Sequence, residues 1–135
     1  MKAMGIDFGL KRIGIALSDE TKFLASPYTV YHRVQMEEDL KYLNNLIVSQ
    51  KVDEIVCGLP LTMSGKEEDI AIETREFMGK LIAQTNINVV YVDERLSSVI
   101  AEEMLKEKER DWRKRKQKLD AVAASIILQD YLDRR

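Results

Sequence analysis

The chain alternates short apolar runs with amphipathic helical segments, and this alternation limits the folds that it can adopt. The first two apolar runs are joined by a short turn that contains Gly9, which predicts a β-hairpin. The later apolar runs alternate with segments of helical periodicity, which predicts parallel strands joined by helical crossovers. The order β-β-β-α-β-α-β-α-α therefore predicts an α/β fold, in which helices cover a mixed sheet.

Local composition sets the expected boundaries of these elements. Strand patterns cover residues 3–8, 13–17, 28–34, 54–59 and 89–92, and the third strand is expected to begin just after Pro27. Helical patterns cover residues 36–50, a segment from a Ser64–Glu67 capping box to Asn86, a segment through Ile100, and residues 119–132. The chain has 135 residues and no evident linker or repeat, so we expect residues 1–135 to form one domain.

The scarcity of cysteine and histidine excludes several kinds of site. The chain has one cysteine, Cys57, so an internal disulfide and a cysteine-rich zinc site are excluded. Cys57 lies in an apolar run and is expected to be buried. His32 alone cannot build a histidine-based metal site, and we interpret it as structural or exposed. No signal peptide or membrane-spanning run is apparent, so we expect a cytoplasmic protein without a membrane partner.

Three widely separated carboxylates form the main chemical hypothesis. Asp7 ends the first strand pattern, Glu94 follows the last one, and Asp120 opens the final apolar helix. Carboxylates that a fold gathers at strand ends are suited to Mg²⁺ or Mn²⁺, which favour oxygen ligands. Taken singly, Asp7 is also explained as the start of a turn, and Asp120 as a helix cap. Together they predict a metal site, and with nearby cations a metal-dependent nuclease.

Cations are concentrated in residues 106–118, which we call the basic segment. It carries +5 in a chain of net charge −2, so the remainder carries −7. Such a patch suits a phosphate-rich partner, although a run of charges is also typical of a solvated, mobile loop or a frayed helix. Trp112 lies within it, where it would either stack on an unpaired base or anchor the segment to the domain.

Four motifs in order along the chain resemble those of one known family. They are Gly5-Ile6-Asp7-Phe8-Gly9 with Lys11-Arg12-Ile13-Gly14, Gly58-Leu59-Pro60-Leu61 with Met63 and Gly65, Asp93-Glu94-Arg95-Leu96-Ser97, and Lys118-Leu119-Asp120 with Ala123-Ala124 and Ile127-Leu128. With these residues the chain resembles the YqgF/RuvX family, which is named for Holliday junction resolution and for pre-16S ribosomal RNA processing. The resemblance implies a ribonuclease H-like fold, with a five-stranded mixed sheet of order 3-2-1-4-5 in which strand 2 is antiparallel.

The same resemblance implies a site and a reaction. Asp7, Glu94 and Asp120 would be the catalytic residues and would hold two Mg²⁺ or Mn²⁺ ions, ~4 Å apart in such sites. Asp93 would have a supporting role. The expected nucleic-acid-binding residues are cations at the hairpin, after Asp93 and in the basic segment: Lys11, Arg12, Arg95, Arg113, Lys114, Arg115, Lys116 and Lys118. Arg95 is equally well explained by an ion pair with Asp93. Gln117 stands where related resolvases have a further ligand, which would weaken the second metal.

Three functions remain open from the sequence. The first is hydrolysis of phosphodiester bonds at the 5′ end of pre-16S ribosomal RNA. The second is the resolution of Holliday junctions in branched DNA, which needs two paired active sites and therefore a homodimer. The third is a non-catalytic module that binds nucleic acid or protein and retains the fold.

Overall fold

The computed structural model describes residues 1–60, 69–93 and 112–135, and for residues 112–117 it describes the backbone alone. Five strands and three helices lie in these ranges. In chain order they are β1 (Lys2–Phe8), β2 (Arg12–Ser18), β3 (Ala25–His32), α1 (Met36–Ser49), β4 (Val52–Leu59), α2 (Asp69–Thr85), β5 (Asn88–Asp93) and α3 (Trp112–Arg134).

The strands form one mixed sheet of order β3-β2-β1-β4-β5, as the resemblance implied. β2 pairs antiparallel with both β1 and β3, whereas β4 is parallel to β1 and to β5. The carboxyl ends of β1, β4 and β5 therefore lie at one edge of the sheet. The amino end of β2 lies at the same edge, so the turn between β1 and β2 projects from it.

Helices cover both faces of the sheet because the strands carry apolar side chains on both. On one face, Met4, Ile6 and Ile15 pack with residues of α1 and α2, including Leu43 and Phe77. On the other face, which we call the α3 face, β residues pack with α3; these are Ala3, Ala16 and Val56 with Ala124, Ile127, Leu128 and Leu132. β1 and β2 lie in the middle of the sheet and are consequently buried along most of their length.

The helix ends follow from local chemistry. α1 begins with Glu37, Glu38 and Asp39, whose negative charge suits the positive end of the helix dipole. Lys51, just beyond α1, and Asn86, just beyond α2, both have positive φ, near 54° and 59°. A left-handed residue after the last turn is a common helix terminator, and asparagine tolerates it better than most residues.

Two predicted boundaries are wrong. β3 starts at Ala25 and contains Pro27, because it is an edge strand and its register with β2 shifts at Ile15/Ala16. Proline lacks a backbone N–H, so edges and bulges are the places in a sheet that accept it. The last helix begins at Trp112, so residues 112–118 of the basic segment are helical. The rest of that segment, the Ser64–Glu67 capping box and the segment through Ile100 lie outside the described residues.

Among the helices that the structure describes, none combines the length and the apolar composition that crossing a membrane requires.

Candidate active site

Asp7 lies on the α3 face, at the carboxyl end of β1. It is two residues from Gly5, and a Cβ on Gly5 would lie 2.6 Å from the carbonyl oxygen of Ala124 in α3. Residues two apart in a strand share a face, so Asp7 points to the same side as Gly5. Its cross-strand partner Gly14 also faces α3. Asp7 is half-buried.

Asp120 reaches the same edge because α3 packs against small residues of the sheet. A Cβ on Gly14 would overlap the backbone carbonyl of Asp120, so glycine is required for α3 to lie where it does. Gly14 is the register partner of Asp7. The close packing of helix and sheet thus brings two predicted ligands together from distant parts of the chain.

A cavity of about 350 Å³ opens between these two carboxylates and the β1–β2 turn. We call residues 9–12 of this turn the hairpin tip. The cavity is lined by the two acids, by the four residues of the hairpin tip and by Phe8, which precedes the tip: Asp7, Phe8, Gly9, Leu10, Lys11, Arg12 and Asp120. It therefore combines acidic and basic side chains, as a site for a metal ion and a phosphate requires.

Arg12 forms an ion pair with Asp120. Its Nε donates a hydrogen bond of 2.8 Å to Asp120 Oδ2, and the two side chains are 41% and 22% exposed. The bond links the hairpin tip to α3 across 108 residues of sequence. The guanidinium therefore partly neutralises this carboxylate and occupies one of its two oxygens.

The donor set fits a hard divalent cation. Asp7 and Asp120 are carboxylates, the preferred ligands of Mg²⁺ and Mn²⁺, and both line the cavity. Within residues 1–60, 69–93 and 112–135, no group of three or more histidine, cysteine, aspartate or glutamate side chains is arranged to hold a metal. Glu94, the third predicted ligand, lies outside the described residues. It follows directly after β5, whose last residue is Asp93.

The orientation of β5 separates Asp93 from the cavity. Tyr91 packs on the α1/α2 side of the sheet, whereas Val92 packs on the α3 face. Because side chains alternate along a strand, Asp93 belongs to the same side as Tyr91. A supporting role for Asp93 stays a prediction.

The other predicted binding residues are only partly described. Lys11 is exposed in the hairpin tip, and Lys118 is exposed near the start of the described side chains of α3. The backbones of Arg113, Lys114, Arg115 and Lys116 belong to α3, but their side chains are not among those described, nor are those of Trp112 and Gln117. Arg95 lies outside the described residues altogether.

The sequence did not predict the ion pair between Arg33 and Asp39 near the hairpin tip. Asp39 is fully buried in the first turn of α1, and Arg33 Nε donates a 2.8 Å hydrogen bond to it. Burial raises the pKa of Asp39, but hydrogen bonds from Arg33, the Val34 N–H and Tyr31 outweigh it and hold the pKa below its ordinary value. Burial and the bond to Asp39 raise the pKa of Tyr31 to about 12. An aspartate in a first helical turn is also explained as a dipole partner, so the sequence signal was ambiguous.

His32 lies close to the site, which the sequence also did not predict. It is exposed, and it is the register partner of Arg12 in the β2–β3 pair. Cross-strand partners share a face, so His32 stands beside the cation that bonds to Asp120. Tyr31, the preceding residue, stacks on Tyr42 of α1. Because side chains alternate along a strand, this contact places His32 on the opposite face of the sheet, the α3 face.

Comparison with known proteins identifies the family. The profile of the RuvX family, described as Holliday junction resolvase, matches residues 1–134. The chain belongs to this family. A relative from Maridesulfovibrio salexigens, named "Putative pre-16S rRNA nuclease", is 42% identical over 134 residues, 99% of each chain. A relative from Syntrophomonas wolfei with the same name is 44% identical over 133 residues, covering 98% of this chain and 94% of that one.

Solved structures of resolvases have the same ribonuclease H-like fold as this RuvX family member. Fowlpox virus resolvase, in complex with Holliday junction DNA, has a TM-score of 0.61 at 11% identity, with 98% of this chain and 97% of that chain covered. RuvC of T. thermophilus, also in complex with a Holliday junction, has a TM-score of 0.61 at 13% identity, with 98% and 94% covered. These likenesses establish the fold.

Proposed function

We propose that the protein is a divalent-metal-dependent nuclease that hydrolyses phosphodiester bonds at the 5′ end of pre-16S ribosomal RNA. One observation carries the proposal: Asp7 and Asp120, distant in sequence, line one cavity together with the cations Lys11 and Arg12. The family membership supports a nuclease, and the names of the relatives support this substrate. We further propose that residues 1–135 act as one nuclease domain and work in the cytoplasm.

Asp7, Glu94 and Asp120 would hold two Mg²⁺ or Mn²⁺ ions. When bound, the ions supply an activated water as nucleophile and charge stabilisation for the leaving 3′ oxygen. Asp7 is fixed by a central strand and Asp120 by a helix packed on Gly14, so both carboxylates have rigid supports. Glu94, the third proposed ligand, comes directly after the last residue of β5 and lies outside the described residues.

Lys11 and Arg12 would bind the phosphates on either side of the scissile bond. Lys11 is exposed and Arg12 is 41% exposed, so both are accessible to a large polyanion. Arginine matches a phosphate with two donors, and lysine contributes a point charge. The binding surface would continue through Arg95, Lys118 and the basic residues at the start of α3: Arg113, Lys114, Arg115 and Lys116.

Resolution of Holliday junctions is the second candidate, and the description of the matched family favours it. It requires two cleavages related by symmetry, so the protein would act as a homodimer. The two functions therefore differ in the predicted substrate, which is RNA for the first and branched DNA for the second. Only the second requires that the active species is a dimer.

The decisive experiment compares cleavage of a pre-16S transcript with cleavage of a four-way DNA junction. We expect cleavage of the transcript with Mg²⁺ or Mn²⁺ and none in excess EDTA. Asp7→Asn and Asp120→Asn should abolish cleavage while the protein stays folded, because each removes a metal-binding charge and little volume. The matched control is Asp130→Asn, which changes an exposed residue of α3 paired with Arg134. Full activity in EDTA or in Asp7→Asn would refute the metal mechanism.

Preferential cleavage of the junction by a dimer would assign the resolvase function instead. Binding of nucleic acid with no cleavage of any substrate would assign the non-catalytic module. Mn²⁺ titration followed by electron paramagnetic resonance separates loss of the metal from loss of a catalytic group in each variant.

A further inference from the structure

Arg33 bonds the hairpin tip from the side of the sheet that α1 and α2 cover. Its Nη1 donates to the carbonyl oxygens of Gly9 and Leu10, at 3.3 and 3.4 Å. Its backbone N–H donates to the carbonyl oxygen of Lys11 at 2.9 Å. Three successive carbonyl groups of the tip therefore face one arginine.

Arg33 is itself immobilised by its surroundings. Asp39 accepts the hydrogen bond from Arg33 Nε through Oδ2, and its Oδ1 accepts one of 3.0 Å from the Val34 N–H. The guanidinium carbon lies 4.7 Å from the centre of the Phe8 ring and 5.4 Å from that of Phe77 in α2. Arg33 therefore contacts α1, α2 and the end of β1 at once. These contacts restrict the guanidinium group that bonds to the tip.

This arrangement also fixes the direction of the tip's peptide groups. In a trans peptide the N–H points opposite to the preceding C=O. Since the carbonyls of Gly9, Leu10 and Lys11 face Arg33, the N–H groups of Leu10, Lys11 and Arg12 are turned away from it. The tip is closed by a further bond of 2.8 Å from the Gly9 N–H to the Arg12 carbonyl.

We propose that Arg33 is a positioning residue for nucleic-acid binding at the candidate site. It touches no substrate; it holds the hairpin tip so that Lys11 and Arg12 present their charges to backbone phosphates beside Asp7 and Asp120. The proposal rests on the proposed nuclease function, because that function supplies the phosphate ligand. Asp39 orients Arg33 in turn.

Lysine cannot replace Arg33 in this role. An ammonium group has no rigid fork, so it cannot keep the bond to Asp39, bond two carbonyls and lie flat over two rings at the same time. Arg33→Lys keeps the charge and most of the volume, and it can still pair with Asp39. The variant therefore tests the geometry of the guanidinium rather than its charge.

The test measures tip order and nucleic-acid binding separately. Amide exchange at Gly9 and Arg33 reports the closed tip directly, because both N–H groups donate to tip carbonyls. In Arg33→Lys we expect exchange at these amides to be about ten-fold faster. Binding to a single-stranded RNA oligonucleotide in EDTA should weaken. The slope of log affinity against log salt should fall by roughly 0.7 for each phosphate that the variant no longer neutralises.

Arg75→Lys is the matched control. Arg75 lies over Tyr91 of β5, with its guanidinium carbon 4.7 Å from the ring centre, and it is exposed on α2. It should leave both the exchange at Gly9 and the salt slope unchanged. If Arg33→Lys fails to fold, Asp39→Asn carries the same test, since it removes the charge that orients Arg33.

Each outcome is decisive. Unchanged exchange in Arg33→Lys overturns the proposal, and so does faster exchange with an unchanged salt slope, because Arg33 would then support only the fold. Wild-type protein that binds RNA in a tip-dependent way but cleaves nothing would refute the nuclease function and leave the positioning role intact.

Discussion

A side chain at Gly14 would collide with the backbone of the helix that carries Asp120. The obstacle is a main-chain carbonyl, which cannot rotate away as a flexible side chain would. We expect Gly14→Ala to destabilise the protein by about 1–3 kcal/mol, the usual cost of overpacking. It should also impair Mn²⁺ binding, because α3 must move and Asp120 moves with it. Urea denaturation and metal titration measure the two effects.

Gly79→Ala provides the contrast. Gly79 is exposed in α2, and a Cβ there would meet nothing within 4 Å. Alanine in an open helical position should stabilise the protein by about 0.5–1 kcal/mol. Equal losses of stability in the two variants would show that the packing of α3 on Gly14 is not the cause.

We expect Arg12 to compete with a metal ion for Asp120. Its guanidinium occupies Asp120 Oδ2, so removal of the charge should free an oxygen and relieve repulsion of the incoming cation. We expect Arg12→Gln to bind Mn²⁺ at least about five-fold more tightly in the absence of nucleic acid, and to bind nucleic acid less tightly. Lys11→Gln removes the same charge from the tip and leaves the ion pair in place. A similar gain in both variants would contradict a direct competition.

At the scale of elements, the turn from β3 into α1 depends on an ionised aspartate. Asp39 is fully buried and its pKa lies below the ordinary value, so its stabilising effect is complete above about pH 4 and is lost as the pH falls through the folded-state pKa. Asp39→Asn should cost about 3–5 kcal/mol at pH 7. The difference from wild type should shrink below about pH 4. Denaturation curves at several pH values measure it, and a constant difference would contradict the prediction.

The sequence predicted the elements well where one physical signal dominated. The strand patterns of β1, β4 and β5 and the helical stripe of α1 match the structure closely. It was wrong where the tertiary context changes the rule, as at Pro27, which an edge strand accepts. The start of α3 was also missed, since residues 112–118 have no apolar stripe to mark a helix.

The candidate site was predictable in part. Asp7 and Asp120 are marked by their places at a strand end and a helix start. The ion pair between Arg12 and Asp120 depends on how a helix packs 108 residues later in the chain, which no local pattern encodes. The hydrogen bonds of Arg33 likewise depend on the fold, because a lone arginine after a strand is usually a surface cation.

At the scale of the whole molecule, an acidic protein must bind a polyanion through local patches. The net charge is −2, and the basic segment carries +5. We expect replacement of Arg113, Lys114, Arg115 and Lys116 by alanine to weaken binding to RNA and DNA alike, because phosphate binding carries no sequence information. Each of these cations that neutralises a phosphate in the wild type contributes roughly 0.7–0.9 to the salt slope, and the variant should lack that contribution. Metal affinity is the control and should not change.

An unchanged salt slope in that variant would identify the segment as a solvated surface. The comparison with Arg33→Lys is informative, because both variants should lower the slope but only Arg33→Lys should speed amide exchange at Gly9.

The ion pair between Arg12 and Asp120 spans 108 residues, and α3 packs on β1, β2 and β3 through its carboxyl-terminal half. During translation the hairpin emerges before α3. A growing chain therefore carries Asp7 and the hairpin tip long before it carries Asp120. Non-local pairings of this kind form slowly and late. The proposed site therefore predicts that a nascent chain has no hydrolytic activity toward the RNA around it until α3 has emerged and packed on the sheet.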